Sequence, residues 1–308
     1  MTRSGTNNQD IGGRFGETAM RRAARQVATQ LGFNGEHALL LRLTNNAVFA
    51  LPDAGIVLRI SRSHRLRQRV AKVAALGRWF AQINAPTIRL APDFEEPIDV
   101  SGLQATIWTY LPPQPPAPDV TELGRTLRAF HQLGTPDLPL PVWDPVDDAR
   151  ARLADAEALP DADRRFLLDW CDRLEPHVAA LNEQTPPGLV HGDAHVGNLL
   201  RHRDGRTVLC DFDATCLGPW QVDLVAVPVG EARFRRSDAH ARLADAYGYD
   251  VTTDPAWPIL REARELKMVA AAVPLLASGP GVAHEFTVRL RSIQQRDDTA
   301  RWTPFAEL

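Results

Sequence analysis

The strip Pro112-Pro113-Gln114-Pro115-Pro116-Ala117-Pro118 limits what this chain of 308 residues can build. Proline fixes φ and removes a backbone donor, so neither a helix nor an interior strand runs through such a segment. The strip predicts a linker over 112–118 between regions of unlike character. Before it, Leu39 to Leu51 reads as two strands around the polar turn Thr44-Asn45-Asn46, followed by Ile56 to Ile60, Ile88 to Leu90 and Ala105 to Leu111. Helical spacing occurs there over 17–31 and 64–82, and residues 1–16 read as a polar tail. After the strip, helical periodicity covers 119–133, 146–158, 161–181, 221–230, 237–247, 255–277 and 283–295. The order predicts an α+β protein, with a small strand-rich lobe over 17–111 and a larger helix-rich lobe over 119–308.

Within the helix-rich half lies His191-Gly192-Asp193-Ala194-His195-Val196-Gly197-Asn198, then a turn at Asp204-Gly205, then an apolar run ending in Asp211-Phe212-Asp213. An Asp, four intervening residues and an Asn, with a further Asp downstream, is the spacing of a phosphoryl-transfer loop. That chemistry requires a carboxylate near the attacking hydroxyl and oxygen ligands that hold magnesium on the phosphates. A hairpin can bring Asn198 and Asp211 to one end of a site, with Asp193 just before it. Plainer readings exist for each: Asp193 as a turn cap, Asp211 and Asp213 as polar strand ends, His195 as a hydrogen-bonding loop residue.

The net charge of −3 implies neither a polyanionic nor a polycationic partner. Three scattered cysteines make no disulfide framework and fit a reducing cytoplasm. No apolar run reaches membrane-spanning length, and the start has no signal-peptide core. The expectation is a cytoplasmic protein without a membrane or nucleic-acid partner.

The segment 189–225, with its His-Gly-Asp-x-His-x-x-Asn and the following strand ending in Asp, resembles the aminoglycoside phosphotransferase and choline kinase-like family; weaker likeness runs from Leu39 to Phe305. The resemblance implies a bilobal protein-kinase-like fold and transfer of phosphate from ATP, with Mg2+, to a small-molecule hydroxyl. It implies that Asp193 is the catalytic base, that Asn198 and Asp211 are magnesium ligands, and that His191 supports the loop. Asp223 would be a buried carboxylate pinning that loop, and His195 and Asp213 are further candidates.

The first lobe departs from the kinase pattern. Asn45 and Asn46 stand where a glycine-rich loop would cradle phosphate, and Arg59 stands where a lysine is expected. Lys72 takes the place of the glutamate that should pair that cation, and no acidic residue lies between Arg59 and Leu90. Arg59 also has a plainer reading, as a surface side chain snorkelling from its strand. The run Arg59, Arg62, His64, Arg65, Arg67, Arg69, Lys72, Arg78 reads as a solvated face or an attractor of nucleotide phosphates. Trp108 or Tyr110, entering the linker, is a candidate to stack on adenine, or else a core aromatic. Candidates for an acidic acceptor pocket are Asp147, Asp148, Glu262, Glu265, Asp297 and Asp298, although Glu262, Arg264, Glu265 and Lys267 also read as an ordinary exposed helix face. An amino sugar, aminoglycoside, sugar or amino alcohol all remain open as acceptor. The rival reading is a nucleotide-binding pseudokinase, motivated by the Arg59 and Lys72 departures.

Overall fold

The computed structural model describes residues 16–43, 46–61, 67–100, 102–154, 156, 158–234 and 238–307; for residues 67, 68, 277, 278 and 306 only the backbone is described. The expected tail over 1–15, Thr44 and Asn45 of the first turn, and Arg62, His64 and Arg65 of the basic run lie outside the described residues. The chain divides into two compact units, Met1–Pro115 with Arg201–Asp213, and Pro116–Leu200 with Ala214–Leu308. No described helix is long and apolar enough to cross a membrane.

In the first unit, α1 (Glu17–Gln30) precedes β1 (Leu39–Leu43), β2 (Asn46–Leu51) and β3 (Ile56–Ser61); then come α2 (Arg67–Gln82), β4 (Ile98–Val100) and β5 (Leu103–Thr109). Among the described residues the strands form one antiparallel sheet in the order β1-β2-β3-β5-β4. Alternation decides its two faces. Phe49, Leu51, Ile56, Leu58, Ile60, Ala105 and Ile107 point into one core with Met20, Ala24 and Val27 of α1. The intervening Asn46, Arg59 and Thr106 therefore share the opposite face, and the register sets Arg59 opposite both Val48 and Thr106. Ile88 to Leu90 forms no strand; it contributes one bridge, Leu90 to Trp108, and Thr87 just before it makes another, to Leu209. On α2, Gly77 allows close approach: a Cβ there would lie 2.9 Å from Leu90 Cγ and 3.2 Å from the Trp108 ring.

The second unit carries α3 (Val120–His131), α4 (Pro145–Ala154), α5 (Asp161–Gln184), β6 (Gly188–Val190) and β7 (Leu199–Arg201), the boundary between the units passing within β7. After β8 (Thr207–Leu209) it resumes with β9 (Cys216–Gly218), α6 (Ala226–Phe234), α7 (Ala239–Tyr247), α8 (Trp257–Ala270) and α9 (Pro280–Gln294). A capping box opens α3, with Asp119 accepting from Glu122 N and the Glu122 side chain accepting from Asp119 N. The helical pattern over 255–277 breaks after α8, and residues 273–278 wind as a 3₁₀ turn because Pro274 cannot donate to a longer helix. Strands β6 and β9 pair antiparallel, placing Val190, just before the loop 191–198, opposite Cys216.

Sequence order assigns the whole hairpin to the helix-rich half, whereas residues 201–213 group with the sheet. The reason is local. Leu209 N donates to Pro86 O at 2.9 Å, Ile88 N donates to Leu209 O at 2.9 Å, and the Phe212 ring packs 4.8 Å from Phe80 and 6.4 Å from Trp108.

Candidate functional site

In the first unit, Asn46 and Arg59 converge with the end of the hairpin. Arg59 is buried and forms ion pairs with Asp213 and, at 3.7 Å, with Asp211. Asn46 Nδ2 donates to Asp213 Oδ2 at 2.7 Å, Lys72 Nζ donates to the Asp213 carbonyl at 2.7 Å, and Arg42 Nη1 donates to Asp211 Oδ2 at 3.2 Å. The snorkelling reading of Arg59 thus gives way to a buried one. The missing helix glutamate is replaced by Asp211 and Asp213, contributed from far along the chain. Burial would raise the Asp213 pKa, but Arg59, the Asn46 hydrogen bond and Arg69 hold it below the ordinary carboxylate value. Asp211 has φ of 69°, a left-handed conformation uncommon outside glycine.

Trp108 is core: it is 2% exposed, and its Nε1–H donates to Thr106 Oγ1 at 2.9 Å. A ring so enclosed has no face to offer a base. Tyr110 is half-buried at the strand end, where its N–H donates to Gly55 O at 2.8 Å.

In the second unit, His191, Asp193, His195, Asn198 and Asp223 lie in one hydrogen-bonded loop. Asp223 is buried and receives His191 N at 2.6 Å, Gly192 N at 2.7 Å and His131 Nε2 at 3.0 Å. A carboxylate only accepts, so His131 donates from Nε2, and its Nδ1 accepts from Tyr247 O–H at 2.9 Å. Burial opposes ionisation of Asp223, yet the His131 hydrogen bond and the nearby imidazoles hold its pKa below the usual range. Burial and the Asp223 charge push the Tyr247 hydroxyl up to about 12, so it stays a donor. Sequence reasoning named Asp223 but missed His131 and Tyr247; their partners lie 92 and 116 residues away, beyond any local pattern.

His191 is fully buried, and its Nδ1 accepts from Asp193 N at 3.3 Å. His195 Nδ1 accepts from Gly197 N at 3.0 Å, a local capping role. Asn198, also buried, donates from Nδ2 to Asp193 O at 3.0 Å, so the oxygen end of its amide is the end that can ligate a cation.

The Asp193 carboxylate itself meets two cations from α8. Arg264 Nη1 donates to Oδ1 at 2.9 Å and Lys267 Nζ lies 3.1 Å from the same oxygen, while also donating to Gly192 O at 2.8 Å. His195 Nε2 stands 3.8 Å from Oδ2. Burial alone would raise the Asp193 pKa; Lys267, Arg264 and His195 more than offset it and hold the acid well below its ordinary value. The sequence reading of this helix as an exposed face is corrected here. Arg264 and Lys267 are mostly buried on Asp193, and Glu265 is 7% exposed, paired with Arg233 Nε at 2.9 Å. Their three-residue spacing puts Arg264 and Lys267 on one helix face, but no local signal ties that face to a loop 71 residues earlier.

Gly192 makes the loop sterically feasible. Its φ is 77°, and a Cβ there would lie 2.2 Å from Ala214 O, a backbone atom that cannot swing aside. Gly192→Ala is expected to destabilise the protein by about 2 kcal/mol or more, since left-handed geometry alone costs about 1–2 kcal/mol per residue. Thermal unfolding checks the loss, and a melting temperature equal to wild type would show that the loop relaxes freely.

Asp211 and Asn198 offer hard oxygen donors, the kind magnesium takes, and Asp211 already attracts two arginines in the first unit. Among the described residues no group of three or more His, Cys, Asp or Glu side chains is set to hold a metal.

The aminoglycoside phosphotransferase APH(3'')-Id from Streptomyces rimosus is similar in structure, with TM-score 0.60 at 15% identity over 81% of this chain and 98% of that one. Choline kinase LicA from Streptococcus pneumoniae gives TM-score 0.60 at 13% identity, over 89% of this chain and 99% of its own. A microcompartment-associated aminopropanol kinase gives TM-score 0.62 at 18% identity, over 91% and 99% respectively. No curated protein matches in sequence. These likenesses establish the protein-kinase-like fold of the small-molecule phosphotransferases. The family model described as the phosphotransferase enzyme family (APH) matches residues 17–263, a span that includes the loop of Asp193, the hairpin and the Arg59 strand, and the chain belongs to that family.

Proposed function

We propose that this phosphotransferase moves the γ-phosphoryl group of ATP, with Mg2+, to a hydroxyl of a small molecule, and that Asp193 is its base. The observation that carries the reading is Asp193 itself: an ionised carboxylate on a loop pinned by Asp223, with Oδ1 held by two cations and Oδ2 turned toward His195. In the transfer, the acceptor oxygen forms the new O–P bond as the bond from γ-phosphorus to its bridging oxygen breaks. The acceptor proton passes to Asp193, and ADP departs. Orientation of that hydroxyl by a fixed carboxylate supplies most of what the protein must do here.

Arg59, beside Asp211 and Asp213, is suited to face nucleotide phosphate, with Asn46 holding Asp213 in place. Asn198 and Asp211 would hold magnesium, which when bound offsets charge on the phosphate oxygens. Tyr110 is the better candidate of the two aromatics for a base-stacking role, given the enclosure of Trp108.

The test is magnesium- and ATP-dependent ADP release against pooled sugars, amino sugars, amino alcohols and hydroxy acids. Release is expected with at least one pool and to vanish on chelation by EDTA. ATP binding with no acceptor-dependent release in any pool would favour the pseudokinase reading instead.

A further inference from the structure

Two cations meeting one oxygen of a catalytic base is more positive charge than orientation of that base requires. Asp193 carries one negative charge, and Arg264 and Lys267 bring two positive ones. Five of the six acidic side chains that would make a pocket for a polycationic acceptor are engaged elsewhere in the same unit, and the sixth, Asp147, is exposed in the first turn of α4. Glu265 pairs with Arg233 and Arg261, Asp298 with Arg261 at 2.6 Å, and Asp148 with Arg152 at 3.0 Å. Glu262 accepts from Trp170 Nε1 at 2.7 Å, and Asp297 accepts from the backbone of Thr299 and Ala300.

Arg264 also holds a donor in reserve. Its Nε–H is buried and has no hydrogen-bond partner among the described residues, and a buried donor without an acceptor is costly. Beside it, a cavity of about 30 Å³ is bounded by Gly192, Lys267, Trp143, Val222 and Leu260. That volume admits a single water and is too small for a carboxylate, a phosphate or a ring, so an anion would meet the two cations from the Asp193 side and not from within it.

We propose that Arg264 and Lys267 form an anion-recognition site beside Asp193, so that the acceptor is a small alcohol carrying a carboxylate or phosphate near its reacting hydroxyl. This rests on the reading of Asp193 as the base. The acceptor hydroxyl meets Oδ2, and its anionic group takes donors from the two cations gathered at Oδ1. A guanidinium and an ammonium together suit either anion, the guanidinium through its planar fork. In the first unit Arg42, Arg59 and Lys72 gather at Asp211 and Asp213, giving the nucleotide phosphates cations of their own.

The experiment uses two charge-matched sets: glycerate, glycerol phosphate, glycerol and an aminopropanediol; and glucuronate, glucose phosphate, glucose and glucosamine. Each compound is titrated against the full chain by calorimetry and assayed for ADP release. In at least one set an anionic member is expected to bind about tenfold or more tightly than its neutral counterpart, roughly one charge-assisted hydrogen bond's effect. Carboxylate against phosphate members then identifies the anion. Arg264→Gln and Lys267→Gln are expected to raise KM for that member several-fold more than for the neutral one, so that the preference between the two is lost, and Arg264→Lys to retain most of it. Preference for the neutral or cationic member in both sets would overturn the proposal. So would a fall in kcat for every acceptor alike with KM unchanged, which would assign the cations to Asp193 or the phosphoryl group alone. Anion binding through Arg264 without ADP release would uphold this site and count against the phosphotransferase reading; release with cationic acceptors alone would do the reverse.

Discussion

Asp193→Asn is expected to lower kcat by roughly 10²- to 10⁴-fold, the usual contribution of a positioned base, while nucleotide affinity stays within a few-fold of wild type. Asparagine keeps the shape and can still accept from Arg264, but it takes no proton from the acceptor. Steady-state kinetics with a titration of ATP by calorimetry separates the two effects, and unchanged turnover would remove Asp193 from the mechanism. The same residue predicts an unusual pH profile. Its pKa is depressed by Lys267 and Arg264 against the pull of burial, so the acid limb of kcat/KM should not appear until pH falls below the ordinary carboxylate range near ~4. Removing a cation, as in Arg264→Gln, leaves burial less opposed, and the limb should move to higher pH.

The second large effect concerns stability. Asp223→Ala removes the acceptor for two backbone amides and the His131 N–H, all within the second unit. Breaking a buried charged network by deleting one partner costs about 3–5 kcal/mol, and a loss of that size corresponds to a melting temperature lower by about 6–20 °C. Activity should fall with it, because His191 and Gly192 are the residues that lead into Asp193. Asp223→Asn keeps one acceptor oxygen and should fall between wild type and alanine. The folded pKa of Asp223 is depressed, so its contribution is fully present above the unfolded value near ~3.9 and is lost as pH falls through the folded pKa. The gap between wild type and Asp223→Ala should therefore hold from neutral pH down to about 4 and close below it. Equal melting temperatures at pH 7 would sink the pinning role.

Much of the fold was legible because local periodicity reflects local structure. The helices α1, α3 and α5 and the strands β2 and β3 lie within a few residues of where apolar spacing puts them. The short edge strand β4 escaped notice, since three residues carry no period. The stretch Ile88 to Leu90 was read as a strand because it is apolar, yet Leu90 is apolar on account of packing beneath Gly77 and Trp108 rather than of a ladder. Of the candidate residues, Asn46, Arg59, Asp211 and Asp213 do meet in one unit, and His191, Asp193, His195, Asn198 and Asp223 meet in the other.

The order of strands before helices, the linker, and the Asp193, Asn198, Asp211 spacing are properties of the chain as written, for they depend on residues close in sequence whose φ preferences, periods and side-chain chemistry act locally. Which charges face which is a different matter. That Arg59 finds Asp213 in place of a helix glutamate, that His131 and Tyr247 orient Asp223, and that Arg264 and Lys267 close on Asp193 all depend on contacts between residues 71 to 154 positions apart. Such contacts are selected by burial and register across whole elements, and a one-dimensional pattern holds no record of them until the helices and the sheet have packed.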